Sequence, residues 1–210
     1  MAVIGVKHLV YAPITEKVYG QKPTYGTGAV LAKLTKVDRN ITNSNTKLYA
    51  DDATAEVDHR YQSGTLSVGT DDFTHEAQKG ILGNKEKTED TVKVLTKGAE
   101  NEPPEVGVGF ITTHKRNNIR TYEACVYLRV MFSEPNINSN TKGENIEFQT
   151  PELEADIMEV EGYKEGAYEE LAEFTTEAAA ITWLDNYLNV SSAAAASYMP
   201  ATYSITGDDE

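Results

Sequence analysis

The amino-acid sequence predicts a mainly β domain of the α+β kind, in which many strands are joined by a short flanking helix and a C-terminal helix. Three observations lead there. Apolar residues recur with period two over residues 106–110 and 122–132, the spacing that lines one face of a strand. Stretches rich in Gly, Pro, Asn and Ser separate the apolar runs. Only two segments show helical spacing instead.

Taken in order, Lys7 to Ala12 is a short apolar run closed by Pro13 and reads as the first strand. Residues 17–28 hold Gly20, Pro23, Gly26 and Gly28 and read as a loop. Residues 29–37 alternate loosely through Ala29, Leu31, Lys33, Thr35 and Val37, as a strand does. Residues 40–46, from Asn40 to Thr46, are too polar and turn-rich for either regular element. Over 65–70, Leu66 and Val68 oppose Ser67 and Gly69. Asp71-Asp72 offers an N-cap to a helix over 73–82. There Phe73, Ala77 and Ile81 share a face, and Gly83 is the expected C-cap.

The strongest alternation follows. Val106, Val108 and Phe110 share a face, with Gly107 and Gly109 opposite. Tyr122, Ala124, Val126, Leu128, Val130 and Phe132 form a long apolar face against Glu123, Cys125, Tyr127, Arg129 and Met131, and residues 114–118 read as the hairpin connection. Ile146 and Phe148 share a face, but after Pro151 the apolar set is Leu153, Ala155 and Ile157. A phase slip at a proline predicts an edge strand or a bulge. Thr176 caps a helix over 177–188 with an Ile181, Leu184, Leu188 stripe. Residues 1–188 therefore form the domain, and 189–210 an acidic, Ala/Ser-rich tail with little to pack.

The 210 residues include 33 acidic and 19 basic ones, a formal charge of −14. The charge is lopsided: from Glu144 onward sixteen acids face one base, Lys164, while the first 143 residues hold seventeen acids and eighteen bases. This excludes a general nucleic-acid binder, which needs cations to replace phosphate counterions. The acid-rich stretch 152–177 admits two readings, a solvated face or a surface that repels an anion. No apolar run approaches the roughly 18 residues of a membrane span, and Met1 to Lys7 do not resemble a signal peptide. The single Cys125 excludes an internal disulfide framework and fits a reducing compartment.

Chemistry-bearing patterns are sparse. Gly107-Val108-Gly109 lacks a third glycine and a following helix, so these are strand glycines. Cys125 sits inside a strand pattern as a small inert side chain. His8, His59, His75 and His114 have no metal-ligand spacing. Asp51-Asp52 and Asp71-Asp72 are better turn formers or caps than a cation site. Lys115-Arg116 with Arg120 is too small a cluster for nucleic acid. No catalytic residue, metal or cofactor is expected, and the chain is not read as an enzyme. It carries 12 tyrosines, suited to interfaces, and long polar segments at 17–28, 40–62 and 84–104 that are expected to be mobile or docked on neighbours. Asn43-Ser44-Asn45-Thr46-Lys47 recurs at 138–142, an echo that a duplicated strand–loop–strand unit would leave.

The opening Gly5-Val6-Lys7-His8-Leu9-Val10-Tyr11-Ala12-Pro13-Ile14-Thr15-Glu16 resembles the start of the major tail proteins of long, non-contractile-tailed phages of Gram-positive bacteria. Further stretches match in the same order: Lys47 to Asp52, Gly80 to Gly83, Phe132 to Pro135 and Glu147 to Leu153, with the helix around Ile181 to Leu184 at the family's usual end. The resemblance implies a tail-tube-type β-sandwich or rolled β-barrel. It implies hexameric rings stacked into the tube through which DNA leaves the virion without sequence-specific binding. Partners would be the tape measure, tail terminator and distal tail proteins, with assembly in the host cytoplasm and no membrane contact. A loop carrying Tyr49, Asp51 and Asp52 would reach a neighbouring subunit, with Phe148, Gln149 and Pro151 as its pseudo-symmetric partner. The acid excess would line a bore that repels DNA, with the 152–177 stretch on the outside. Two rivals stand beside this: the tube component of a contractile injection system, and a monomeric or trimeric sugar- or protein-binding β-sandwich. The second would need an aromatic groove, and the tyrosines are scattered along the sequence.

Overall fold

The computed structural model describes residues 2–50, 53–89, 92–136 and 150–191, with 45–50, 53–59 and 89 described by their backbone alone. Along the chain come β1 (Ala2–Glu16), β2 (Thr24–Tyr25), β3 (Ala29–Ala32), β4 (Leu34–Ala50), β5 (Ala53–Thr70) and α1 (His75–Leu82). These are followed by β6 (Lys85–Glu89), β7 (Val92–Thr96), β8 (Glu105–Arg116), β9 (Ile119–Phe132), β10 (Glu152–Ile157), β11 (Glu169–Phe174) and α2 (Glu177–Tyr187). The fold is mainly β, with short helices, as the alternation predicts.

One antiparallel sheet runs β2-β1-β8-β9-β10-β5-β4, with β3 also on β1 and β11 also on β9. Only Lys33 separates β3 from β4. Its N–H donates to Asp71 Oδ1 (2.9 Å), and its carbonyl accepts from the Asp71 N–H (3.0 Å). Because β3 pairs with β1 while β4 pairs with β5, the sheet rolls round on itself. The rolled wall encloses Leu9, Leu31, Leu66, Phe110, Tyr127, Phe132 and Leu153, and α1 plugs it with Ala77, Ile81 and Leu82. A second core lies outside the wall, where Val10, Ile111, Val126 and Leu128 meet Ala180, Leu184 and Leu188 around α2. Burying each leucine is worth about 1.5–3 kcal/mol.

β8 and β9 are covered on both faces through their middles, which is why residues 106–111 and 124–128 are buried without a break. The opposed Gly107 and Gly109 leave room for the ring of Tyr25 and for Leu184 and Leu188. In β1, His8 takes φ 58° at a register shift between Lys7 and Val10, a bulge that sends Leu9 inward and Val10 outward. Its Nε2 meets Asp185 Oδ1 of α2 at 2.8 Å.

Several expectations are corrected. Residues 40–46 are strand, not irregular, and lie in the long β4–β5 hairpin. The 84–104 segment contains the β6–β7 hairpin. The N-cap of α1 is Thr74, whose hydroxyl accepts from the Ala77 N–H. Asp71 staples Lys33 instead, and Asp72 Oδ1 accepts from the N–H of Phe73. Gly83 ends α1 at φ 68°, in the left-handed region a C-cap needs. β10 is not an edge strand: it lies between β9 and β5 in unbroken register with β5, and Pro151 stands just before its first residue, while the phase slip itself reaches into 146–149, outside the described residues. Ile146, Phe148 and the second copy of the echo lie outside the described residues. Thr176 caps α2 as expected. At the start of the expected tail, Val190 bridges to Gly28, and Asn189 Nδ2 donates to the carbonyl of Tyr25 at 2.8 Å.

Candidate assembly interface

Beyond the rolled wall the sheet continues as four strand segments. Residues 2–7 of β1 pair with 111–115 of β8, β8 pairs with the first half of β9, and residues 122–127 of β9 pair with β11. α2 covers one face of this extension. The other face carries the cross-strand row Val6, Thr112, Glu123, Glu173, with Cys125 opposite Leu171 in the next row. Glu123 and Glu173 face each other as like charges, which is unfavourable in a sheet. His114 Nε2, 3.0 Å from Glu123 Oε2, sits beside them.

Both borders of the extension are bare among the described residues. β3 joins β1 only from Leu9 onward, so residues 2–7 have a partner on one side, and β11 is paired by β9 alone. Each bare border is six residues long. Each also exposes apolar side chains: Val3 is 56% and Ile4 50% exposed on β1, and Leu171 55% on β11. Their charges differ. Residues 2–7 and 111–122 contain Lys7, Lys115, Arg116 and Arg120 and no carboxylate, whereas β11 contains Glu169, Glu170 and Glu173 and no base.

The β4–β5 hairpin is the other projecting feature. β10 accompanies β5 only from Gly69 to Gly64, yet the β4–β5 ladder runs on to Ala50 opposite Ala53. Among the described residues the rest of the hairpin is unaccompanied, a two-stranded arm about 30 Å long at ~3.3 Å per residue. The residues expected to form the intersubunit contact fall unevenly on it. Tyr49 lies in the arm with its backbone opposite Thr54. Asp51, Asp52, Phe148 and Gln149 lie outside the described residues. Pro151 is far from Tyr49: its carbonyl accepts from the N–H of Thr70, at the end of β5 away from the arm. The structure thus does not bring Pro151 to Tyr49. Sequence reasoning passed over the borders 2–7 and 169–174, whose signals were the exposed Val3-Ile4 pair and a faint alternation of Glu169, Leu171 and Glu173.

The acid-rich stretch is not one solvated face. β10 alternates exposed Glu152, Glu154 and Asp156 with buried Leu153, Ala155 and Ile157. On β11 the even residue Glu170 turns towards α2 and acts as a hub. Its carboxylate accepts from Tyr163 Oη (2.8 Å), Lys164 Nζ (2.6 Å) and Tyr187 Oη (2.7 Å). Burial raises its pKa, but these three donors outweigh that and hold the carboxyl below the usual range. Tyr25, Tyr163 and Tyr187, far apart in sequence, gather here with Trp183. Tyr25 Oη donates to the carbonyl of Leu128 and the other two hydroxyls to Glu170, so all three serve the fold. A second ionic cluster sits on the outer wall, where Arg129 grips Glu105 through Nε (2.9 Å) and Nη2 (2.7 Å) and Lys17 adds a third bond (2.8 Å). Burial pushes the Cys125 thiol up to about 12, reinforced by Glu123 and Glu169.

Among the described residues no group of three or more His, Cys, Asp or Glu is placed to hold a metal ion. No helix among them is long and apolar enough to cross a membrane. No protein-family model matches the chain, and no curated protein matches it.

Proposed function

We propose that this chain is the repeating subunit of a virion tail tube of the long, non-contractile phage type. The observation that carries the reading is the pair of six-residue borders on one four-stranded extension that are bare among the described residues. Its strands alternate in direction, so β11 runs antiparallel to β1 within one copy. A rotated second copy then presents its β1 border antiparallel to β11 of the first, and the ladder continues without a change of type. A head-to-tail contact of this kind closes into a ring when the rotation allows. Bare strand borders are the surfaces on which such additions occur.

In such a ring α2 faces outward and the row Val6, Thr112, Glu123, Glu173 faces the bore. Glu123 and Glu173 then present carboxylates to passing DNA, whose phosphates they repel. The arm reaches the next copy or ring. A two-stranded ribbon alone is marginal in water, so it gains order from that contact. The tape measure, terminator and distal tail proteins are the partners that such a tube requires.

The test is electron microscopy and sedimentation of the purified protein. Rings and tubes are expected. The variant Glu173→Lys with Leu171→Lys leaves each copy folded but blocks ring formation, because Leu171 and Glu173 are exposed. A wild-type protein that stays monomeric at every concentration, or rings that survive this double change, refutes the reading.

A further inference from the structure

Two tyrosines link the root of the arm to the acidic border. Where β5 leaves β10 at Gly64, the β4–β5 register shifts: Thr42 faces Ser63 but Asn43 faces Tyr61, so Gln62 is an extra residue. Such a bulge bends the strand that carries it and so sets the direction of everything beyond. Tyr61 is the first residue past it. Its Oη donates to the carbonyl of Ile157 at 2.6 Å, and its ring stacks on that of Tyr168 at 4.5 Å and 21°. Tyr168 immediately precedes β11. Its carbonyl accepts from the N–H of Leu128 at 3.0 Å, and the next residue, Glu169, is ion-paired with Arg39 of β4.

We propose that the Tyr61–Tyr168 stack couples the two assembly elements, so that pairing of β11 by a second copy of this chain and the set direction of the arm favour one another. This rests on the reading of β11 as a mating border. In the latched state the stack and the bond to Ile157 fix the arm at its root. In the released state both are lost, the arm swings about the bulge, and the start of β11 is held by β9, by Arg39 at Glu169 and by the Tyr163, Lys164 and Tyr187 donors at Glu170. A neighbour's strand on β11 holds Tyr168 in place and so favours the latched arm. A neighbour gripping the arm favours an ordered β11 by the same factor, since linkage is reciprocal.

Amide hydrogen exchange on the monomer tests this directly. Tyr168→Ala accelerates exchange at 41–44 and 60–63, and Tyr61→Leu accelerates it at 169–174. Each effect is roughly two- to tenfold, the range spanned by an aromatic pair. Tyr168→Phe, which keeps the ring, leaves both regions at wild-type rates. Acceleration confined to the element that carries the substitution overturns the proposal. The two reciprocal variants make the test independent of either one failing to fold. Tyr168→Ala also raises the concentration at which rings form, and an unchanged threshold counts against the coupling. If the wild type forms no rings at all, the tube reading falls, and the monomer exchange rates alone still decide whether arm and border are linked.

Discussion

Helix α2 lies against the outer wall because Gly109 has no side chain, and that contact can be taken apart from both sides. A Cβ built at Gly109 would stand 2.5 Å from Leu184 Cδ1, 3.2 Å from Leu188 Cδ1 and 3.2 Å from the carbonyl oxygen of Cys125. Gly109→Ala therefore overpacks the contact and is expected to cost about 1–3 kcal/mol. Leu184 is fully buried, so Leu184→Ala opens a cavity and costs about 2–5 kcal/mol. The double variant is the informative one. With Leu184 truncated, the worst clash of the new methyl disappears and the methyl fills part of the cavity. The two costs then fail to add, by about 0.5–3 kcal/mol. Urea unfolding followed by fluorescence reads this on dilute monomer, since Trp183, the single tryptophan, sits one residue from the substitution. Strictly additive costs would refute the packing argument, as would a Gly109→Ala variant as stable as the parent.

Three further outcomes follow from single sites. Glu105 is held below its ordinary 4.5 by the hydrogen bonds from Arg129, against burial, with Lys17 assisting. Its stabilisation is complete above the unfolded value and is lost as pH falls through the lower folded value, so acid unfolding curves of Glu105→Gln should lose that part of their slope. Cys125, with its thiol raised to about 12 and buried, should resist alkylation at pH 8 in the native protein and react on unfolding, which mass spectrometry reads. Asn117 and Asn118 turn the β8–β9 hairpin at φ 49° and 64°. Asn118→Val should cost about 1–2 kcal/mol, a Tm drop of about 2–8 °C, whereas Asn118→Gly should hold or raise the Tm.

The sequence by itself determined the elements that bury a face. Period-two alternation located β8, β9 and the Leu153, Ala155, Ile157 face of β10, and helical spacing with Thr176 and Gly83 located the two helices, because burial leaves a periodic mark on side-chain polarity. It left β11 and the arm unread for the same reason. Backbone ladders hold Asn43, Ser44 and Asn45 in a strand without any apolar face, and β11 spends its alternation on glutamates and one exposed leucine. Only the tertiary structure decided that β3 and β4 meet across Lys33 to roll the sheet, since that depends on Asp71 arriving from 38 residues away. It alone decided, too, that residues 2–7 and 169–174 end as the two borders of one sheet that no described strand covers. A border is defined by the strand that is not beside it, and the pairing of distant segments that leaves it bare has no local signature.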